Sequence, residues 1–362
     1  MTTARGVTAA LVALLLCTLT ACGYGSLAPE DDGQPAVHGR KLSADTVRIG
    51  YFPNLTHATA LIGVSEGLLQ RELGGTRLRT ATFNAGPSEI EALNAGAVDI
   101  GFIGPSPAVN GYTKSGGRNL RIVSGAASGG VSLVVDPEKI KTVRDVKGKR
   151  IATPQLGNTQ DVALLEWAAR QGWTVDAQSG RGDVTVVRTD NRITPDAYKS
   201  GSVDGAWVPE PTASKLVAEG AEVLLDESSL WPDGKFVITN IVVSQSFLTA
   251  HPDVVEAFLR GTVATNRWIR AHPAEAARAA NAALEDLTGK ALPDAVLDHA
   301  WPRVHFTDDP LAATLRVQAE RAARTGLLDH PRPAGIYDLG PLNRVLSTRG
   351  LPWVSDAGLG TP

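Results

Sequence analysis

Between residues 45 and 125 the chain repeats one pattern: a short apolar run, a glycine- or proline-bearing loop, then a stretch with helical apolar spacing. This alternation limits the fold more than any other feature. Strands are predicted over 47–52, 78–83, 98–103 and 120–124, with helices over 57–69, over 86–95 and from 104 onward between them. In the first helix Leu61, Ile62, Val64, Leu68 and Leu69 fall on one stripe. Parallel strands need a crossover, and helices supply it, so the pattern predicts a mostly parallel sheet covered by helices. The pattern then restarts. Strands are predicted over 131–135, 150–153, 184–187, 205–208 and 222–225, with helices over 158–170, 194–199 and 210–219. A β-branched strand over 236–243 follows. The rest reads as helices over 252–271, 273–287, 293–301 and 310–325, each led by a proline, which costs no backbone bond at a helix start.

A chain of 362 residues exceeds one typical domain. The two α/β units predict two lobes, one of residues 45–130 plus 239–362 and one of residues 131–238, with crossings near Gly129-Gly130 and near Thr239. Open α/β sheets bind ligands beyond the carboxyl ends of their strands. With two such sheets, that place is the cleft between the lobes. Lys and Arg number 35 against 38 Asp and Glu, a net charge of −3. A nucleic-acid partner is therefore not expected, because it would call for a basic excess.

The chain's two cysteines are Cys17 and Cys22. Arg5 and an apolar run over 7–19 precede Leu19-Thr20-Ala21-Cys22, a stretch that resembles the lipobox of bacterial lipoproteins. The resemblance implies a signal peptide over 1–21 and a lipid on Cys22; a secretory peptide cut elsewhere is the alternative. Residues 22–44 are rich in Gly, Pro, Asp, Ser and Gln and read as a flexible tether. Two cysteines cannot build a zinc site, and no metal or cofactor is expected.

Candidate binding residues sit in loops that follow strands and open helices. They are Asn54, Thr56 and His57 after the first strand, Ser88 after the second, Ser106 after the third, and Asn158, Thr159 and Gln160 in the second unit. Helix starts offer free N–H groups and a positive dipole end, which hold an anion without a cation. The same residue types are also ordinary N-caps. His57 could donate to an anion or serve as a cap. Trp207 could line the cleft or pack in the core. Glu210 could pair with a ligand amino group or complement a helix start. Asp99 and Asp204 end helix-to-strand turns in both units and read as matching structural residues. His299 and His305 lack metal-ligand spacing.

Four stretches carry a family resemblance. They are Arg48-Ile49-Gly50-Tyr51-Phe52-Pro53-Asn54, the segment from Glu91 to Gly101, Gly104-Pro105-Ser106-Pro107, and Gly205-Ala206-Trp207-Val208-Pro209-Glu210-Pro211. Together they resemble the aliphatic sulfonate/nitrate/taurine-type substrate-binding proteins of ABC transporters. The resemblance implies a two-lobed type II periplasmic-binding-protein fold that closes over its ligand by a hinge. It implies a monomer, lipid-anchored outside the cell membrane, that delivers a small anion to an ABC permease and ATPase. Aliphatic sulfonates or taurine-like compounds are the first ligand class and nitrate the next. A thiamin-precursor pyrimidine is an alternative, with Tyr51, Phe52 and Trp207 available for stacking. Enzymes of sulfur or cofactor metabolism share this fold, but no Gly-x-Ser-x-Gly, Walker or His-Glu-x-x-His motif is present and no enzymatic activity is expected.

Overall fold

A computed structural model of the protein describes residues 41–361. Cys17, Cys22, the signal peptide and nearly all of the tether lie outside the described residues. The first unit opens with β1 (Thr46–Tyr51), α1 (Ala58–Ser65) and α2 (Leu68–Leu73), then β2 (Arg77–Thr82), α3 (Gly86–Asn94), β3 (Ile100–Ile103), α4 (Pro105–Lys114) and β4 (Leu120–Gly129). The second unit runs through β5 (Val131–Val135), β6 (Arg150–Thr153), α5 (Thr159–Arg170), β7 (Thr185–Arg188), α6 (Thr194–Lys199), β8 (Gly205–Pro209), α7 (Thr212–Ala218) and β9 (Glu222–Asp226). The chain returns with β10 (Val237–Ser244). It continues through α8 (Gln245–Ala250), α9 (Pro252–Ala271), α10 (Pro273–Thr288), α11 (Asp294–Ala300), β11 (Val304–Phe306), α12 (Ala312–Arg324) and α13 (Gly340–Thr348).

Two sheets result. The first has strand order β11-β4-β10-β3-β1-β2 and the second β7-β6-β8-β5-β9. β1 pairs in parallel with β2 and β3, as β6 does with β7 and β8. The strands next to the crossings run the other way: β10 is antiparallel to β3 and β4, and β5 is antiparallel to β8 and β9. A chain that passes straight from one sheet into the next has no helix to turn it round, so these strands enter against their neighbours. The first crossing is Gly129-Gly130, with φ of 75° and 68°, in the left-handed region that favours glycine. The return lies ahead of Val237, and Thr239 already pairs with Ala127 inside the first sheet.

The helix predicted over 57–69 is two helices, preceded by a 3₁₀ turn at Leu55–His57. Gly67, at φ 64°, breaks the run although its apolar stripe continues. The core is set by amphipathic patterning. On α9 the residues Val254, Val255, Phe258, Leu259 and Val263 are buried along one face, and Phe258 meets Phe102 of β3 edge-on at 6.0 Å. Each such side chain contributes about 1.5–3 kcal/mol on burial. No helix among the described residues is long and apolar enough to cross a membrane.

Candidate functional site

The carboxyl ends of β1, β2 and β3 in the first sheet and of β6, β7 and β8 in the second lead into loops that meet around one small cavity. From the first unit Asn54, Thr56, His57 and Asn84 line it; from the second, Asn158, Thr159, Gln160 and Asn191. Phe52, Gly104, Pro209 and Ile238 close it. No lysine, arginine or carboxylate is among these residues. The cavity holds about 20 Å³, room for roughly one water.

The starts of α4 and α5 face each other across it. Gly104 immediately precedes α4, and a Cβ there would lie 2.5 Å from the Thr159 hydroxyl at the start of α5. Glycine is what permits this approach. The N-cap positions of α3, α4 and α5 are Ala85, Gly104 and Asn158, and none makes a side-chain cap hydrogen bond. The capping alternative for Asn158 is therefore not what the structure shows. Its amide instead donates to Gln160 Oε1 at 3.1 Å. The hydroxyls of Thr159 and Ser106 and the Oδ1 of Asn191 are buried without a hydrogen-bond partner among the described residues, an arrangement that costs free energy unless something else supplies the bond.

His57 is buried, and burial lowers its pKa to about 3, so the ring is neutral. Its Nδ1 accepts the Phe52 N–H at 3.2 Å, which places the ring proton on Nε2. The imidazole stacks on Phe52 with centroids 4.3 Å apart. Thr56 Oγ1 donates to Asn54 Oδ1 at 2.7 Å.

Six of the ten residues singled out from the sequence thus meet at the cavity: Asn54, Thr56, His57, Asn158, Thr159 and Gln160. The other four lie elsewhere. Ser88 is exposed on α3. Ser106 is buried one position inside α4 but does not line the cavity. Trp207 is a core residue: its Nε1 donates to Glu227 Oε2 at 2.7 Å and its ring lies 5.7 Å from that of Trp167. Burial pushes the Glu227 carboxyl up to about 7. Glu210 complements a helix start, since its Oε2 accepts the Ser214 N–H of α7 at 3.0 Å. Its backbone also ties the units together, donating to Gly130 O and accepting from Leu55 N–H. Asn84 and Asn191 are cavity residues that the sequence reading missed. Asn84 follows the strand predicted over 78–83, and Asn191 lies in the loop between the strand predicted over 184–187 and the helix over 194–199, so the same strand-to-helix position could have found both.

Comparisons with known proteins agree with this architecture. The taurine-binding periplasmic protein of Escherichia coli (strain K12) is 28% identical over 214 residues, 59% of this chain and 64% of that protein. The alignments with the first relatives span a little under two thirds of those relatives' own length. The alkanesulfonate-binding protein SsuA from Xanthomonas axonopodis pv. citri, bound to MOPS, shares the fold with a TM-score of 0.65. That match has 23% identity and covers 86% of this chain and 99% of that one. The periplasmic nitrate-binding protein NrtA from Synechocystis PCC 6803 gives a TM-score of 0.73 at 13% identity, over 86% of this chain and 91% of that one. Residues 40–284, well over half of the chain, match the NMT1-like family, and the protein belongs to it.

Proposed function

We propose that this protein is an extracytoplasmic solute receptor that captures a small anion between two lobes built on the two sheets and delivers it to an ABC permease and ATPase. The observation that carries the reading is the cation-free polar cavity between the facing starts of α4 and α5, with the Thr159 hydroxyl unpartnered beside it. Uncapped helix ends and neutral donors suit an oxyanion. An aliphatic sulfonate or taurine-like compound is the first ligand class, in line with the names of the taurine- and alkanesulfonate-binding proteins it resembles; nitrate is the next. A cavity for one water is far smaller than a sulfonate, so ligand enters an opened cleft and the lobes then close on it. Closure places donors from both sides on one ligand, and only that difference in affinity can drive it. The protein acts by binding, with no covalent step, as a monomer anchored through a lipid on Cys22.

A second reading rests on Phe52 and the five carboxamides around it. A thiamin-precursor pyrimidine would present a flat face to Phe52 and ring nitrogens to Asn and Gln side chains. One experiment separates the two: calorimetric titration of the full chain with taurine, alkanesulfonates, nitrate and an aminopyrimidine. Binding of a sulfonate that Thr159→Ala and Asn158→Ala both weaken supports the first reading. Binding of the pyrimidine alone supports the second, and no binding by any of them defeats both.

A further inference from the structure

The segment after residue 284 lies beyond the family match, yet it grips both units. α12 is fastened to the first sheet: Gln318 Nε2 donates to Val237 O, and the Val237 N–H donates to Thr314 Oγ1, each at 3.1 Å. Two arginines one turn apart on the same helix reach toward the second unit. Arg321 lays its guanidinium 3.9 Å over the ring of Trp231, in the segment that returns from β9 to β10. Arg324 Nη2 donates to Glu166 Oε1 of α5 at 2.6 Å, while Arg170 of the same helix holds Oε2 at 3.0 Å.

α5 starts at the cavity with Thr159 and Gln160 and carries Glu166 two turns further on. Its register against α12 therefore sets where those two residues sit. The two partners differ in exposure. The Glu166 side chain is 6% exposed and that of Arg324 52%. When the units part, Arg324 can pass into water with little cost, while Arg170 stays with Glu166 on α5. We propose that Glu166 and Arg324 form a releasable latch that holds α5, and with it Thr159 and Gln160, in the closed arrangement. Glu166 is then a positioning residue for the binding site, and the C-terminal segment takes part in closure. The inference rests on the reading that the two units open and close.

The test is small-angle scattering of the ligand-free full chain, as the parent and as Arg324→Gln, Glu166→Gln, the double variant and Arg324→Lys. Both single variants should have a larger radius of gyration than the parent, and the double variant should be no larger than either. Arg324→Lys, which keeps the charge, should return toward the parent value. A structural defect alone would not show that non-additivity and rescue. Where taurine binds, its affinity should fall on the order of fivefold in the Gln variants. Equal radii across folded variants overturn the latch. If the parent also compacts with taurine, closure stands without it. If the variants expand as expected but no sulfonate, nitrate or pyrimidine compacts the parent, the latch stands and ligand-driven closure fails.

Discussion

Asp99 takes three hydrogen bonds from Arg48: from its backbone N–H at 2.8 Å, from Nε at 2.9 Å and from Nη2 at 2.6 Å. Arg48 lies on β1, and Asp99 immediately precedes β3, its parallel neighbour. The second sheet repeats the device. Arg150 of β6 gives Asp204, immediately before β8, its N–H at 3.0 Å, Nε at 3.1 Å and Nη2 at 2.9 Å. The turns read Gly96-Ala97-Val98-Asp99 and Gly201-Ser202-Val203-Asp204, and both glycines have positive φ. Each clamp sets the register of two strands at their starts. Their far ends carry Phe52 and Gly104 in one unit and Pro209 in the other, so register is passed to the cavity.

Asp204→Asn should lower stability by about 2 kcal/mol, the worth of charge-assisted bonds to a buried acceptor. Burial works against the Asp204 charge, but donors from Arg150 and Lys139 outweigh it and hold the carboxyl well below its ordinary value. A carboxylate with a depressed folded pKa stabilises fully above its unfolded pKa of about 3.9, and that contribution is lost as pH falls toward the folded value. Denaturant unfolding between pH 7 and pH 3 should show the parent beginning to lose this increment below about pH 4. A constant gap between parent and variant at every pH would contradict the assignment.

Gly104→Ala should leave each unit folded and block their close approach. The backbone at Gly104 has φ −67° and ψ 153°, which alanine adopts freely. The added Cβ would meet the Thr159 hydroxyl at 2.5 Å but the Thr159 Cβ at only 3.5 Å, an ordinary contact. Adding Thr159→Ala should therefore restore compaction in solution scattering, although it removes a ligand donor. Affinity for whichever ligand binds should fall at least on the order of tenfold in Gly104→Ala. A single variant as compact and as tightly binding as the parent would remove the facing helix starts from the account.

The strand and helix alternation is legible because most strands are short apolar runs and because glycine or proline stands at or near most of the helix starts that follow, as at Gly86 of α3 and Pro105 of α4. The break between α1 and α2 is not, since the apolar stripe from Leu61 to Leu69 continues across Gly67. β11 has three residues, Val304–Phe306, too few to show a period, and α13 was not anticipated. Sequence placed Asn158, Thr159 and Gln160 correctly at a helix start but could not say that their caps are unused. It also left Trp207 and Glu210 ambiguous. The partners that decide them, Glu227 and Ser214, are fixed by tertiary packing and not by local pattern.

His57 should make stability fall in mild acid. Its folded pKa of about 3 lies below the ordinary 6.5 because burial disfavours the imidazolium. The unfolded chain therefore takes up a proton at this site first, and stability present above pH 6.5 is lost as pH falls below it. The slope is about 1.4 kcal/mol per pH unit from this one group. His57→Gln keeps an acceptor for the Phe52 N–H and cannot ionise. Its unfolding free energy should change less than the parent's between pH 7.5 and pH 5.5. Parallel pH profiles would place the His57 ring in contact with water.

Glu89 behaves in the opposite sense. It is fully buried on α3, and neither carboxyl oxygen has a hydrogen-bond partner among the described residues. The carboxyl lies against the backbone of two strands: a Cβ at Gly101 would fall 2.6 Å from Oε1, and Gly50 of β1 is as close. Burial raises its pKa well above 4.5, favouring the neutral acid over the carboxylate. A group whose folded pKa is raised contributes fully below its unfolded value, and that contribution drains away as pH rises toward the folded pKa. The loss is about 1.4 kcal/mol for each unit over which the buried acid stays protonated. Glu89→Gln has nearly the same shape and no charge to lose. It should match the parent near pH 4 and be the more stable protein at pH 8 in denaturant unfolding. A Gln variant that is less stable at pH 8 would mean that the carboxylate itself is wanted there, held by a partner that only the ionised form can satisfy.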